Sequence, residues 1–307
     1  MGLRFALFLL LLISYLPMTV LYVLFYPFYL FTTFIIKYRK SVTLENLKLS
    51  FPEKSQKEIQ ALYKLYQKHL SDLGAEMVKM LSVSKKNIAK RYTCVNPEVV
   101  NQFYRQGKSV ILMSSHYNNW EWMVLRLNDM FLHHGIGVGK ANTSKVFEQW
   151  INKRRTRFGT EVVFADAVRD SFEQNSQQNK LCAYMMLSDQ SPNDLKKSYM
   201  TTFLNQESCM IYGTEYFAKK YDLPVVYYEV IKLKPGFYKI ELQLIAENPK
   251  ETASGEIIEK YVQLLEKTIK KAPQYWLWSH RRWKNRISPS NFEGVSREAR
   301  RGSLYKN

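Results

Sequence analysis

The chain has 307 residues with a formal net charge of +18. That length supports at least one full hydrophobic core and argues against a small interaction module, while the charge favours polyanionic partners without choosing among nucleic acid, anionic lipid and acidic protein. Three cysteines (Cys94, Cys182, Cys209) without C-x-x-C spacing read against a disulfide framework and a structural zinc site, and the five histidines form no ligand pair of metal-site spacing.

The first element is a long apolar run. No charge occurs from Phe5 to Ile36, more than the ~20 residues a helix needs to cross hydrocarbon. The run ends in Ile36-Lys37-Tyr38-Arg39-Lys40 rather than at a small-residue cleavage site, so it reads as a retained anchor, residues 1–40. Lys37, Arg39 and Lys40 after the run, against Arg4 before it, place the rest of the chain on the cytoplasmic side. We expect a single transmembrane helix. Pro17 and Pro27 leave open an interrupted helix, and Tyr15, Tyr22, Tyr26 and Tyr29 leave open a run lying partly in the headgroup layer.

After the anchor, Ser55-Gln56-Lys57-Glu58 has the form of a capping box, and Ile59, Leu62, Tyr66, Leu70, Leu73, Met77 and Met80 follow at helical spacing. Short apolar runs then alternate with helical patterns. Strands are expected over 109–113, 136–138, 161–164 and 181–187, and helices over 120–132, 144–157 and 167–178. Residues 224–232 and 237–245 read as an antiparallel hairpin across Lys234-Pro235-Gly236, and 255–271 as a last long helix. The pattern predicts an α/β fold: a mixed, largely parallel sheet flanked by helices, in one domain over 41–287. The tail from 288 to 307 is polar and basic and is expected to be disordered.

One loop carries recognisable chemistry. In Ser114-Ser115-His116-Tyr117-Asn118-Asn119-Trp120-Glu121, His116 should leave the carboxyl end of a strand just before a helix, the edge where open α/β sheets bind ligands. Five positions on one continuous helix turn by about 140° net, so His116 and Glu121 meet only if His116 precedes the helix. Placed so, the carboxylate would fix the imidazole's tautomer while the imidazole takes a proton from an acceptor hydroxyl. From spacing alone, Glu121 is equally well explained as a capping-box partner of Asn118, and His116 as a loop histidine bonded to nearby backbone.

The His-x-x-x-x-Glu box resembles that of the glycerolipid and lysophospholipid acyltransferases, in the Glu form of the bacterial lipid A secondary acyltransferases. Three further blocks follow in that family's order: Trp150-Ile-Asn-Lys-Arg154-Arg155-Thr-Arg157-Phe-Gly159, then Asp189-Gln190, then Gln274-Tyr275-Trp276-Leu277-Trp278-Ser279-His280-Arg281-Arg282-Trp283-Lys284. The chain departs from the family at Phe203-Leu204-Asn205, where a Phe-Phe-Gly turn is common, and at Ser208–Gly213, where a Thr/Gly-rich segment is common. The resemblance implies O-acyl transfer from an acyl thioester, on acyl carrier protein or coenzyme A, to a glycolipid hydroxyl at the inner membrane. It implies no metal or other cofactor. His116 and Glu121 would be catalytic, and Arg154, Arg157, Asp189, Arg281 and Arg282 would bind substrate, with Arg155 and Lys284 adding to the cationic clamp. Asp189 as a turn cap, and Trp276, Trp278 and Trp283 as core packing, remain open alternatives. No nucleic-acid-binding motif is present. Other glycolipid or aminolipid acceptors stay open; hydrolysis is less favoured, since the chain has no G-x-S-x-G elbow.

Overall fold

The computed structural model describes residues 2–141, 143–195 and 198–284. The tail expected from 288 lies outside the described residues. The apolar N-terminal run folds as two helices, α1 (Gly2–Ser14) and α2 (Met18–Leu30), with α2 running into a π-helical turn at Phe31–Ile35. Pro17 sits at the N-cap of α2, where its missing amide costs nothing, and the break falls there. Pro27 stays inside α2 without ending it. Residues Met18–Ile35 are long and apolar enough to cross a membrane.

Helices α3 (Lys40–Ser50) and α4 (Gln56–Met80) follow. The capping box is present as the sequence predicts: the Ser55 amide donates to Glu58 at 2.8 Å and the Glu58 amide to Ser55 Oγ at 3.3 Å. Next come α5 (Lys85–Arg91), β1 (Tyr92–Cys94) and α6 (Glu98–Arg105). The expected alternation then appears: β2 (Val110–Ser114), α7 (Trp120–Met130), β3 (His134–Gly139), α8 (Lys145–Arg155), β4 (Glu161–Phe164), α9 (Val168–Gln177) and β5 (Cys182–Leu187). A hairpin of β6 (Ser198–Phe203) and β7 (Gln206–Ile211) precedes α10 (Gly213–Tyr221), the long hairpin of β8 (Val225–Lys234) and β9 (Phe237–Ala246), and α11 (Glu256–Lys271).

Seven strands form one sheet in the order β1-β9-β8-β2-β5-β3-β4, parallel except for the antiparallel β8–β9 pair. Strands β2 and β5 are apolar apart from Ser114, because both faces of the sheet are covered there. Side chains alternate across the sheet, so Ile111, Met113, Tyr184, Met186, Val225 and Tyr227 enter one core with α9, α10, α11 and the C-terminal tryptophans. Val110, Leu112, Ala183, Met185, Val226 and Tyr228 enter the other, with Trp122, Met123 and Leu127 of α7. Trp276, Trp278 and Trp283 are thus core residues.

The departure at Phe203–Asn205 is the β6–β7 turn itself. Leu204 and Asn205 both hold left-handed backbone, at φ 48° and 62°, as a two-residue hairpin loop requires. Leucine rarely adopts that conformation. Full burial of Leu204, the bond from its amide to Glu266 at 2.6 Å and the bond from Asn205 Nδ2 to the Ser50 carbonyl hold it there.

Candidate active site

Strands β2 and β5 are neighbours, with Ser114 paired to Leu187 in register. The helix after β2 packs on one face of the sheet and α10, which follows β5 after the hairpin, on the other. The two chains therefore leave these strand ends toward opposite faces of the sheet, as at a topological switch point. His116 stands two residues beyond Ser114 and Asp189 two residues beyond Leu187, so the register delivers them to the same place.

Asp189 grips His116 twice. Its Oδ1 lies 2.8 Å from the imidazole Nδ1, and its Oδ2 accepts the His116 backbone amide at 3.0 Å. The indole Nε1 of Trp276 also donates to Oδ2, at 2.8 Å. Burial, at 2 % exposure, pushes the Asp189 carboxyl up, but the charge of His116 and these hydrogen bonds outweigh it and hold the carboxyl below the usual carboxylate range. An anionic Asp189 fixes the tautomer with the proton on Nδ1, leaving Nε2 as the acceptor that meets the Gln190 amide at 3.2 Å. The His116 ring keeps 18 % of its side-chain surface, packed edge-on to Trp120 at 5.1 Å. Burial pushes the nearby His280 imidazole down to about 4, against the pull of Asp189.

The loop is fixed from below by the C-terminal segment. The Leu277 amide donates to the His116 carbonyl at 3.1 Å, and the Asn118 amide to the Tyr275 carbonyl at 2.9 Å, so residues 275–277 run beside 116–118 like a short antiparallel strand. Two of the sequence blocks are thereby one structure. Asn118 adopts φ 52° and its side chain donates to the Val230 carbonyl at 2.6 Å. Asn119, not Asn118, caps α7, accepting the Trp122 amide at 3.0 Å. The other end of its side chain donates to Glu76 at 2.6 Å. Glu76 is fully buried on α4 and also accepts from the hydroxyls of Tyr22 and Tyr238 and from the amide of Gly236. Burial raises its carboxyl above the ordinary range, against the donors and Lys232.

The expected pairing of Glu121 with His116 is corrected by this geometry. Glu121 is bidentate with Arg155, Oε2 to Nε at 2.8 Å and Oε1 to Nη2 at 2.7 Å. It is not a capping-box partner either, because α7 opens one residue later, at Asn119. The reason is directional: Glu121 lies on the first turn of α7, which leaves it facing α8, while His116 turns toward β5.

The remaining predicted residues separate into committed and free cations. Arg157 donates to the carbonyls of Val83 (2.6 Å) and Arg154 and stacks on Phe158, 4.4 Å from the ring centre. Burial, with Arg154 nearby, lowers it to about 10. Arg154 is half-buried, its Nε without a protein partner. Arg282, at 2 % exposure, donates to the Met210 sulfur and lies over the Phe203 ring; burial lowers it to about 10. It supports the β6–β7 hairpin, together with Trp283, whose indole donates to Ser208 at 2.7 Å. Arg281 and Lys284 are exposed. Among the described residues no group of three His, Cys, Asp or Glu side chains is placed to hold a metal.

The sequence model of the family described as bacterial lipid A biosynthesis acyltransferase matches residues 2–285. The chain belongs to that family. No curated protein sequence matches it. In the His116–Asp189 corner, Asp189 holds Nδ1 of His116 and Nε2 meets the Gln190 side chain, so a hydroxyl that replaced Gln190 would meet an acceptor nitrogen. Sequence reasoning gave Asp189 only a binding or capping role, and did not assign Trp276 or Glu76 to the site. A Trp one residue after Gln-Tyr in an aromatic block was the available signal for the first; for Glu76, a lone acidic residue on the apolar face of a predicted helix was the signal.

Proposed function

We propose that this protein transfers a fatty acyl chain from an acyl thioester, carried by acyl carrier protein, to a hydroxyl of a lipid A precursor at the inner face of the cytoplasmic membrane. The observation that carries the reading is the Asp189–His116 pair, with Nδ1 held by the carboxylate and Nε2 meeting Gln190, in a chain of the lipid A acyltransferase family.

In this reaction the acceptor hydroxyl displaces Gln190 from Nε2, and the imidazole takes its proton as the oxygen attacks the thioester carbonyl. Asp189 stabilises the imidazolium that forms. The tetrahedral intermediate collapses with cleavage of the C–S bond, and the imidazolium returns its proton to the departing thiolate. Glu121 contributes by holding the Arg155 guanidinium in place on α8, and Arg281 and Lys284 offer solvent-facing charge to an acidic carrier protein or to lipid phosphates. Arg157 acts on substrate only indirectly, since Nη1 and Nη2 are engaged by the Arg154 and Val83 carbonyls, and Arg282 is buried against Met210 and Phe203.

Membranes containing the protein, given a mixture of acyl thioesters and candidate lipids, should yield an acylated lipid A precursor by mass spectrometry. Free fatty acid as the dominant product, with acceptor present, would favour hydrolysis instead. A second acceptor class, another glycolipid or an aminolipid, is kept in that mixture because the hairpin at Phe203–Ile211 departs from the family pattern.

A further inference from the structure

The segment Met18–Ile35 is apolar enough to cross a bilayer, yet the chain just before it and just after it is fastened to the same body. At its start, Lys79 Nζ of α4 donates to the carbonyls of Ser14 and Leu16, at 3.0 and 2.9 Å, and Ser82 Oγ to that of Ser14 at 2.6 Å. At its finish, Gln67 of α4 donates to the Tyr38 carbonyl at 3.2 Å, and Arg39 to the Ser279 carbonyl at 2.9 Å. Between these points Tyr22 bonds Glu76 at 2.6 Å and Ser71 bonds the Phe25 carbonyl at 2.8 Å. Gly74 permits the approach: a Cβ there would lie 2.8 Å from the Phe25 ring. Helix α2 therefore lies antiparallel along α4 for its whole length, with Met18, Leu21 and Thr33 buried.

The opposite face of α2 is bare. Val20, Leu24, Phe28, Phe31 and Ile35 recur at spacings of three and four and are 39 to 69 % exposed. Phe5, Phe8, Leu9 and Leu12 of α1 are exposed as well. α1 has 13 residues, about 20 Å at the ~1.5 Å helical rise, and is too short for a hydrocarbon core of ~30 Å. If α2 stood across the membrane, the paired length of α4 would stand in it too. Lys68, Asp72, Lys79 and the β8–β9 turn joined to Glu76 would then enter hydrocarbon, where charge is expensive.

We infer that α1 and α2 lie within one leaflet, roughly parallel to the membrane plane, and dock the catalytic domain onto that leaflet without crossing it. The occupant of the bare face is lipid acyl chain, because the run carries no charge while Arg4, Lys37 and Arg39 at its ends are exposed to meet headgroups. A docking surface of this kind brings the active-site loop to the lipid: Tyr22 of α2 and Asn119 at the start of α7 share the Glu76 carboxylate.

The inference rests on the membrane attachment proposed above, not on the acyl-transfer chemistry. Its test is depth-dependent quenching of a bimane on Val20→Cys, Phe28→Cys or Ile35→Cys in the full chain. The protein is reconstituted in phosphatidylethanolamine/phosphatidylglycerol vesicles carrying a nitroxide near the headgroup or deep in the acyl region; the parent chain, with Cys182 and Cys209 buried, sets the background. An in-plane helix predicts a shallow-to-deep quenching ratio equal within about twofold at all three positions. A crossing helix separates the outer two by about 20 Å of depth, so a ratio that inverts along the helix overturns the in-plane arrangement alone. Quenching by neither nitroxide at any position means a protein partner, such as a second copy, covers the face, and overturns membrane docking too.

Discussion

His116 and Glu121 stand five residues apart in one motif, yet they serve different corners of the molecule. His116 faces β5 and is held by a buried carboxylate, Asp189, that three donors keep anionic. Glu121 faces α8 and is neutralised by Arg155, with 12 and 21 % of the two side chains exposed. In the first corner the carboxylate orients an imidazole whose other nitrogen meets the Gln190 side chain. In the second it is locked into a two-point clamp that joins helices. A shared motif thus encodes one chemical and one architectural partnership, and each can be broken separately.

The largest expected effect is at the imidazole. His116→Ala should lower acyl transfer by about 10³-fold, the scale of general-base catalysis, with the circular dichroism spectrum unchanged. Asp189→Asn should come next, at about 100-fold in kcat with little change in KM, because an amide can present the wrong partner to Nδ1 while leaving the loop in place. Normal kcat in that variant would remove Asp189 from the mechanism. The same pair has a pH signature. The Asp189 carboxyl is held below the usual carboxylate range, so its contribution to stability is full above the unfolded value of about 4 and is lost as pH falls through the folded value. Urea unfolding of wild type and Asp189→Asn should differ by a constant amount above a pH of about 4, by less below it, and converge in stronger acid.

In the second corner the effect moves from rate to stability. Glu121→Ala should destabilise by about 2 kcal/mol, less than the ~3–5 expected of a fully buried pair, because both partners keep some water. Removing Arg155 as well should recover part of that loss in a double-mutant cycle. Additive losses would mean the clamp is not coupled. If Glu121→Gln lost activity while keeping its melting temperature, the carboxylate would have a role in the reaction beyond the clamp. Arg157→Ala should cost about 1–3 kcal/mol from its bonds to the Val83 and Arg154 carbonyls, with KM little changed. Arg281→Ala, at an exposed position, should leave thermal stability within about 0.5 kcal/mol and raise KM for an acidic carrier substrate a few-fold at low salt.

Much of the fold was legible because its signals are local. Apolar runs at 110–114 and 182–187, the Ser55–Glu58 cap and the Pro235-Gly236 turn announce themselves within a few residues, and each formed where expected. The short helices α3, α5, α6 and α10 were not predicted, and three strands were missed because they are stabilised from afar. β1 has three residues and exists by pairing with β9. β6 and β7 turn through Leu204-Asn205, which carries no glycine to mark it, and are held by Arg282 and Trp283 some seventy residues on.

The site divides in the same way. The sequence by itself determined that His116 would leave a strand end ahead of a helix and that a long uncharged run would seek an apolar medium; both follow from composition and spacing along a few turns of chain, while the blocks were recognised by their resemblance to a known family. Only the tertiary structure decided which carboxylate meets the imidazole. The β2–β5 register that joins His116 to Asp189, and the lengthwise pairing of α2 with α4, depend on contacts between segments far apart in sequence, and no local pattern encodes a partner that folding alone brings near.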